Sequence, residues 1–166
     1  MFKLLTAGEG GVGKTTLLRR YIEGQFITDT KLTVGVEFFV KELELDGNAC
    51  SLQLWDFGGQ ERFRFLLKSY VKGAKGAFLM FDLTRIDTLR TIDEWVKILR
   101  DSVPDLPILF VGTKLDLEDQ TYIDEDYINE LREEYDLFDF IKISSKTGEN
   151  VEKIITTLVR KILSRV

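Results

Sequence analysis

Apolar residues follow two rhythms along this chain. Short runs at Phe2–Thr6, Ala77–Phe81, Ile108–Val111 and Phe140–Ile143 are mostly apolar, the pattern of strands buried on both faces. Between them, apolar residues recur at helical spacing. Lys14–Ile22 turns Leu17, Leu18, Tyr21 and Ile22 to one side. Thr88–Arg100 does so with Leu89, Ile92, Val96 and Leu99, and Val151–Leu163 with Val151, Ile154, Ile155, Leu158 and Ile162. A shorter, less regular helix is predicted around Arg62–Val71, and an acidic surface helix over Asp124–Tyr135 with Asp124 as N-cap. Val36–Leu45 and Cys50–Trp55 are rich in strand formers and flank Asp46-Gly47-Asn48. They read as a hairpin supplying one antiparallel pair.

Strands alternating with helices predict an α/β fold: a mostly parallel six-stranded sheet with one antiparallel strand, helices on both faces, and a single domain over 1–166. Ligands of such sheets bind at the carboxyl ends of the strands. The loops to search are therefore 7–15, 56–61, 82–87, 112–116 and 144–148.

Composition removes whole classes of chemistry. The 166 residues include no histidine and one cysteine. A histidine metal site, a Ser-His-Asp triad and an internal disulfide are excluded, and Cys50 reads as a buried structural thiol in a reducing, cytoplasmic setting. The net charge of −5 argues against non-specific nucleic-acid binding. No apolar run approaches the roughly 20 residues that span a bilayer. The N-terminus is Met1-Phe2, and Ser164-Arg165-Val166 offers no cysteine to prenylate.

The first candidate loop reads Gly8-Glu9-Gly10-Gly11-Val12-Gly13-Lys14-Thr15. Glycine is costly to order, so four in eight positions need a reason. This is the GxxxxGK[ST] phosphate loop, lying between a strand and a helix as that motif requires. Backbone N–H groups without obstructing side chains form a nest for phosphate oxygens, and the helix dipole adds to it. Lys14 reaches terminal phosphates and the Thr15 hydroxyl suits Mg²⁺.

Three further stretches narrow the ligand. Asp56 ends a strand and can hold Mg²⁺ through a water, the Gly59 N–H can meet a γ-phosphate, and Gln60 can orient a water for in-line attack. In Thr113-Lys114-Leu115-Asp116, the carboxylate can accept from the N1–H and 2-amino edge of guanine, which adenine lacks. Ser144-Ser145-Lys146 can present backbone N–H to guanine O6. Each signal is short; their order, each at the end of a different strand, gives them weight.

These motifs together resemble the small GTPases of the Ras superfamily over essentially the whole chain. The resemblance implies GTP/GDP and Mg²⁺ as ligands and a switch that hydrolyses GTP slowly. It implies that Gly10, Gly11, Val12, Gly13, Lys14, Thr15 and Thr16 line the phosphates and that Thr33 ligates Mg²⁺ in the GTP state alongside Thr15 and Asp56. Phe26 would pack over the guanine, with Lys114 along base and ribose. Gln60, Lys14 and Thr33 would carry catalysis. Thr33-Val34-Gly35-Val36-Glu37-Phe38 and Gln60-Glu61-Arg62-Phe63-Arg64 look most like Rab, and Phe38, Trp55 and Tyr70 match its effector-binding aromatics, although core packing explains such residues equally well.

Phe57-Gly58 replaces the usual Thr-Ala, giving an Arf-like Gly-Gly pair. Thr113 replaces the usual Asn, as in Rho proteins, keeping a hydroxyl with shorter reach. Effectors, an exchange factor and an activating protein bringing an arginine are the implied partners of a monomer. Peripheral membrane attachment would need a lipidated tail beyond this chain, and a prokaryotic or archaeal relative without a tail is the equal alternative. A P-loop ATPase or nucleotide kinase, and a GTP-binding scaffold that does not hydrolyse, are the competing functions.

Overall fold

The computed structural model describes residues 1–25, 36–57, 64–120 and 123–166. The strands are β1 (Phe2–Ala7), β2 (Val36–Leu45), β3 (Asn48–Phe57), β4 (Gly76–Asp82), β5 (Ile108–Thr113) and β6 (Asp139–Lys142). The helices are α1 (Lys14–Glu23), α2 (Arg64–Tyr70), α3 (Ile92–Ser102), α4 (Glu125–Glu134) and α5 (Val151–Leu163). The strands form one sheet in the order β2-β3-β1-β4-β5-β6. Among the described residues only the β2–β3 pair is antiparallel. The alternation of mostly apolar strands with amphipathic helices predicted this arrangement.

Each face of the sheet has its own core. Leu17 and Leu18 of α1 and Ile154, Ile155 and Leu158 of α5 cover one face over Leu4, Met80 and Val111. Leu67 of α2, Trp95 and Leu99 of α3 and Ile128 of α4 cover the other, over Leu5, Leu79 and Phe110. β4 and β5 are buried at every position, which is why both are apolar along nearly their whole length. Cys50 is buried on the α1 side.

The element ends differ from the periodicity in informative ways. β2 and β3 meet at a two-residue turn, with Leu45 opposite Asn48. Asp46 and Gly47 have φ of 51° and 81°, the left-handed pair that lets a tight hairpin follow the sheet twist. β3 runs two residues past Trp55, so Asp56 and Phe57 still lie in the strand.

Helical spacing from Thr88 overstated the start of α3. Ile86–Leu89 is a 3₁₀ turn and α3 begins at Ile92. The Thr88 hydroxyl donates to the Arg85 carbonyl at 2.7 Å and accepts from the Asp82 N–H at 3.0 Å, fastening this turn to the end of β4. Asp124 caps α4 as expected, accepting from the Asp126 N–H at 2.9 Å. No helix among the described residues is long and apolar enough to cross a membrane.

Candidate functional site

The turn from β1 into α1 is shaped by steric exclusion. A Cβ at Gly8 would lie 2.3 Å from the Met80 carbonyl oxygen, so no other residue fits beside β4. Gly13, at φ 104°, is the residue before α1, and its carbonyl accepts the first helical bond, from Leu17 N–H at 2.9 Å. Val12 is fully buried and anchors the loop from below. Gly10 and Gly11 form its rim.

Lys14 opens α1 and is 6% exposed. Its Nζ donates to the carbonyls of Gly8 and Glu9, both at 2.8 Å, and so arches back over the loop. Burial pushes its pKa down to about 8, against the opposing pull of Asp56 and Glu9. Thr15 Oγ1 donates to Asp56 Oδ2 at 2.5 Å, joining the start of α1 to β3. Thr16 is the next residue along α1 and is partly exposed.

A hydroxyl and a buried carboxylate side by side are hard oxygen donors of the kind Mg²⁺ takes. Among the described residues no cluster of three or more His, Cys, Asp or Glu could hold a metal. A cation here could take this pair together with oxygens of a bound ligand, the way Mg²⁺ is commonly held in phosphate sites.

At the other end of the site, Thr113 ends β5. Its Oγ1 lies 2.6 Å from the Val12 carbonyl and 3.0 Å from that of Phe81. The shorter reach of threonine suffices, because β5 runs close enough to the buried Val12. Lys114 follows with φ 66°, a conformation uncommon outside glycine. Its Nζ pairs with Asp82 Oδ2 at 2.6 Å.

Asp116 lies in the 3₁₀ turn after Lys114 and accepts from Ser144 Oγ at 2.9 Å. Ser144 is fully buried, and its Oγ also accepts from the Thr147 N–H at 3.1 Å. Leu115 N–H to Ile143 carbonyl, at 2.9 Å, ties the two loops together. Ser145 is partly exposed and Lys146 exposed beside them. Thr113, Lys114, Asp116 and Ser144 thus sit on two adjacent, cross-linked loops, one of which is also tied to the phosphate loop. Phe26, Thr33, Gly59 and Gln60 lie outside the described residues.

Two groups of charges, one around Asp82 and Arg85 and one around Glu9 and Arg64, had no role assigned from the sequence. Asp82 ends β4 with its side chain wholly enclosed. Burial would raise its carboxyl, but hydrogen bonds from Lys114 and Thr84 outweigh this and hold it below the usual carboxylate range. Arg85 Nε approaches the same carboxylate at 3.2 Å. Across the loop, Glu9 Oε1 pairs with Arg64 Nη2 at 2.5 Å and accepts from the Thr91 hydroxyl. Arg64 also pairs with Glu94 and lies 4.9 Å over the Trp95 ring. The available signal was positional: Glu9 follows β1 and Asp82 ends β4, at the carboxyl ends of adjacent strands.

Outside this cleft, Phe38 stacks on Trp55 at 5.0 Å and Trp55 meets Tyr70 at 5.2 Å. Phe38 is 55% exposed and Tyr70 37%. These aromatics form a surface row, and core packing does not account for Phe38.

Comparison with known proteins gives a consistent picture. The Ras family model matches residues 3–164. The Ras-related protein RIC2 of Oryza sativa subsp. japonica is 36% identical over 163 residues, covering 98% of this chain and 75% of that protein. The Ras-related protein YPT3 of Nicotiana plumbaginifolia is 37% identical over 163 residues, 98% and 74%. The human Ras-related protein Rab-8B is 36% identical over 166 residues, 99% and 80%.

Proposed function

The chain belongs to the Ras family, and from that premise we propose that it is a guanine-nucleotide switch that binds GTP and GDP with Mg²⁺ and slowly hydrolyses GTP. The observation that carries the guanine assignment is the 2.9 Å bond from Ser144 to Asp116. It fixes a carboxylate on the loop that Thr113 anchors to the phosphate loop. One Asp116 oxygen takes the serine hydroxyl, and the carboxylate retains acceptor capacity for the N1–H and 2-amino group of guanine. Adenine lacks both donors.

The phosphate loop would cradle the β-phosphate with its backbone N–H groups. Lys14 would turn from the Gly8 and Glu9 carbonyls to the β- and γ-phosphate oxygens. Thr15 and Asp56, with Thr33, would hold Mg²⁺, which when bound neutralises charge on those phosphates. Gln60 would orient the attacking water. Thr33 and Gly59 would bind the γ-phosphate and let go after hydrolysis, so that the surface bearing Phe38, Trp55 and Tyr70 reports the nucleotide state to effector proteins.

Fluorescent GTP and ATP analogues, titrated with Mg²⁺ against the wild-type chain and Asp116→Ala, test this reading. The wild type should prefer GTP strongly. Loss of charge-assisted hydrogen bonds, each about 1.5–3 kcal/mol, should cost Asp116→Ala at least about 100-fold in GTP affinity. Equal affinity of the wild type for both analogues would overturn it.

A further inference from the structure

Two cations share one carboxylate beside the rim of the phosphate loop. Asp82 Oδ1 accepts from the Thr84 N–H at 2.8 Å and the Thr84 hydroxyl at 2.6 Å. Asp82 Oδ2 faces Lys114 Nζ at 2.6 Å and Arg85 Nε at 3.2 Å. Lys114 is the nearer and neutralises the charge. Arg85 leaves an excess positive charge at the mouth of a loop built for anions.

The guanidinium of Arg85 reaches toward that loop. Its Nη2 is 3.4 Å from the Gly10 carbonyl, and 3.4 Å from where a Cβ at Gly11 would sit. The root of the side chain is fixed. Arg85 N–H donates to the Asp82 carbonyl at 3.0 Å, and the Arg85 carbonyl accepts from the Thr88 N–H at 3.2 Å and hydroxyl at 2.7 Å. The side chain is 42% exposed and its contact with Gly10 is long. A pinned root with an exposed charged tip loses little order in reaching a nearby phosphate.

Resting on the GTPase reading above, we infer that Arg85 is an arginine supplied in cis to the triphosphate, donating to its oxygens as charge develops during hydrolysis. In that step the water oxygen bonds to the γ-phosphorus while the bond from the γ-phosphorus to the β–γ bridging oxygen breaks. The electron pair stays on GDP, and the water's protons end on inorganic phosphate and solvent. Arg85 makes and breaks no covalent bond. Its N–H groups stabilise charge on the phosphate oxygens, the role an arginine plays in this chemistry whether it arrives in cis or from a partner. The chain then needs no arginine from an activating protein to reach a basal rate above that of a site without one.

The test is single-turnover GTP hydrolysis with Mg²⁺ by the isolated full chain, comparing wild type, Arg85→Ala and Arg85→Lys. GDP affinity, thermal melting and trapping of GDP with fluoroaluminate, a mimic of the transferring phosphoryl group, are measured in parallel. Arg85→Ala should hydrolyse GTP about tenfold more slowly or worse, with GDP affinity and melting nearly unchanged. Arg85→Lys should not restore the rate, because the ammonium lacks the planar fork. Wild type should trap GDP-fluoroaluminate unaided and Arg85→Ala should not. Hydrolysis by Arg85→Ala at the wild-type rate would overturn this inference alone. A wild-type chain that binds no guanine nucleotide would overturn the GTPase reading and this inference with it.

Discussion

The two ends of the candidate site, base and phosphate on the reading proposed above, are built from different interactions. At the base end, hydroxyls hold the structure: Thr113 to the Val12 carbonyl, Ser144 to Asp116, with a backbone bond from Leu115 to Ile143. Thr113 and Ser144 are buried. At the phosphate end ion pairs dominate: Arg85 to Asp82, and Arg64 to Glu9 and Glu94, beside the Thr15 hydroxyl on Asp56 and Lys14 on two carbonyls. A hydroxyl bonded to a buried carbonyl has no substitute, and its loss leaves an orphan. An ion with two partners keeps one when the other leaves. On the proposed reading the base end is thus set before a ligand arrives, while the phosphate end would exchange partners as phosphates bind and leave.

The sharpest break of that contrast is Thr113→Val, which keeps the shape and removes the hydroxyl. The buried Val12 carbonyl loses its 2.6 Å donor, at a cost of about 1–3 kcal/mol. Denaturant unfolding should register that loss, and nucleotide affinity should fall by about tenfold or more as the loop loosens. Thr113→Ser should recover both. A Thr113→Val chain as stable and as tight as wild type would show that the base end is not the rigid one.

Lys14 tests the exchangeable end through pH. Burial lowers its pKa from 10.5 to about 8, so between those values the unfolded chain binds the extra proton. The ligand-free fold should therefore gain stability from this group as pH rises through that window. A bound phosphate would favour the charged ammonium, so nucleotide binding should take up a proton there. Calorimetry in two buffers of different ionisation enthalpy should find uptake rising toward about one proton by pH 9, with affinity falling by up to about tenfold per pH unit. Binding without proton uptake at pH 9 would mean that Lys14 does not change partners.

The same contrast explains what the sequence made legible. The strands and helices were readable because each carries its burial pattern locally: β4 and β5 are nearly continuous apolar runs, and α5 repeats Val151, Ile154, Ile155 and Leu158. The tight turn from β1 into α1 was readable because its steric demands fall on closely spaced glycines. The ion network was not readable, because Asp82 and Lys114 are 32 positions apart and Glu9 and Arg64 are 55 apart. Nothing in either stretch marks the other as its partner until adjacent strand ends bring them together. The start of α3 was missed for a related reason: Thr88 and Thr91 satisfy the turn and Glu9 rather than extending or capping the helix.

The smallest predicted effect is the most direct reading of partner exchange. Glu9 belongs to the phosphate loop, and Arg64 begins α2 directly after residues 58–63. Their pair is 2.5 Å long with both side chains mostly covered, a geometry that alone would argue for a large contribution. Arg64 also holds Glu94 and lies over Trp95, and Glu9 also holds Thr91. Each partner therefore survives the loss of the other. A double-mutant cycle of Glu9→Gln and Arg64→Ala, read by denaturant unfolding, should return a coupling of only about 0.5–1 kcal/mol, below the cost of Thr113→Val. A coupling of several kcal/mol would mean that Glu9 and Arg64 form an obligate bond. The phosphate end would then be locked as firmly as the base end.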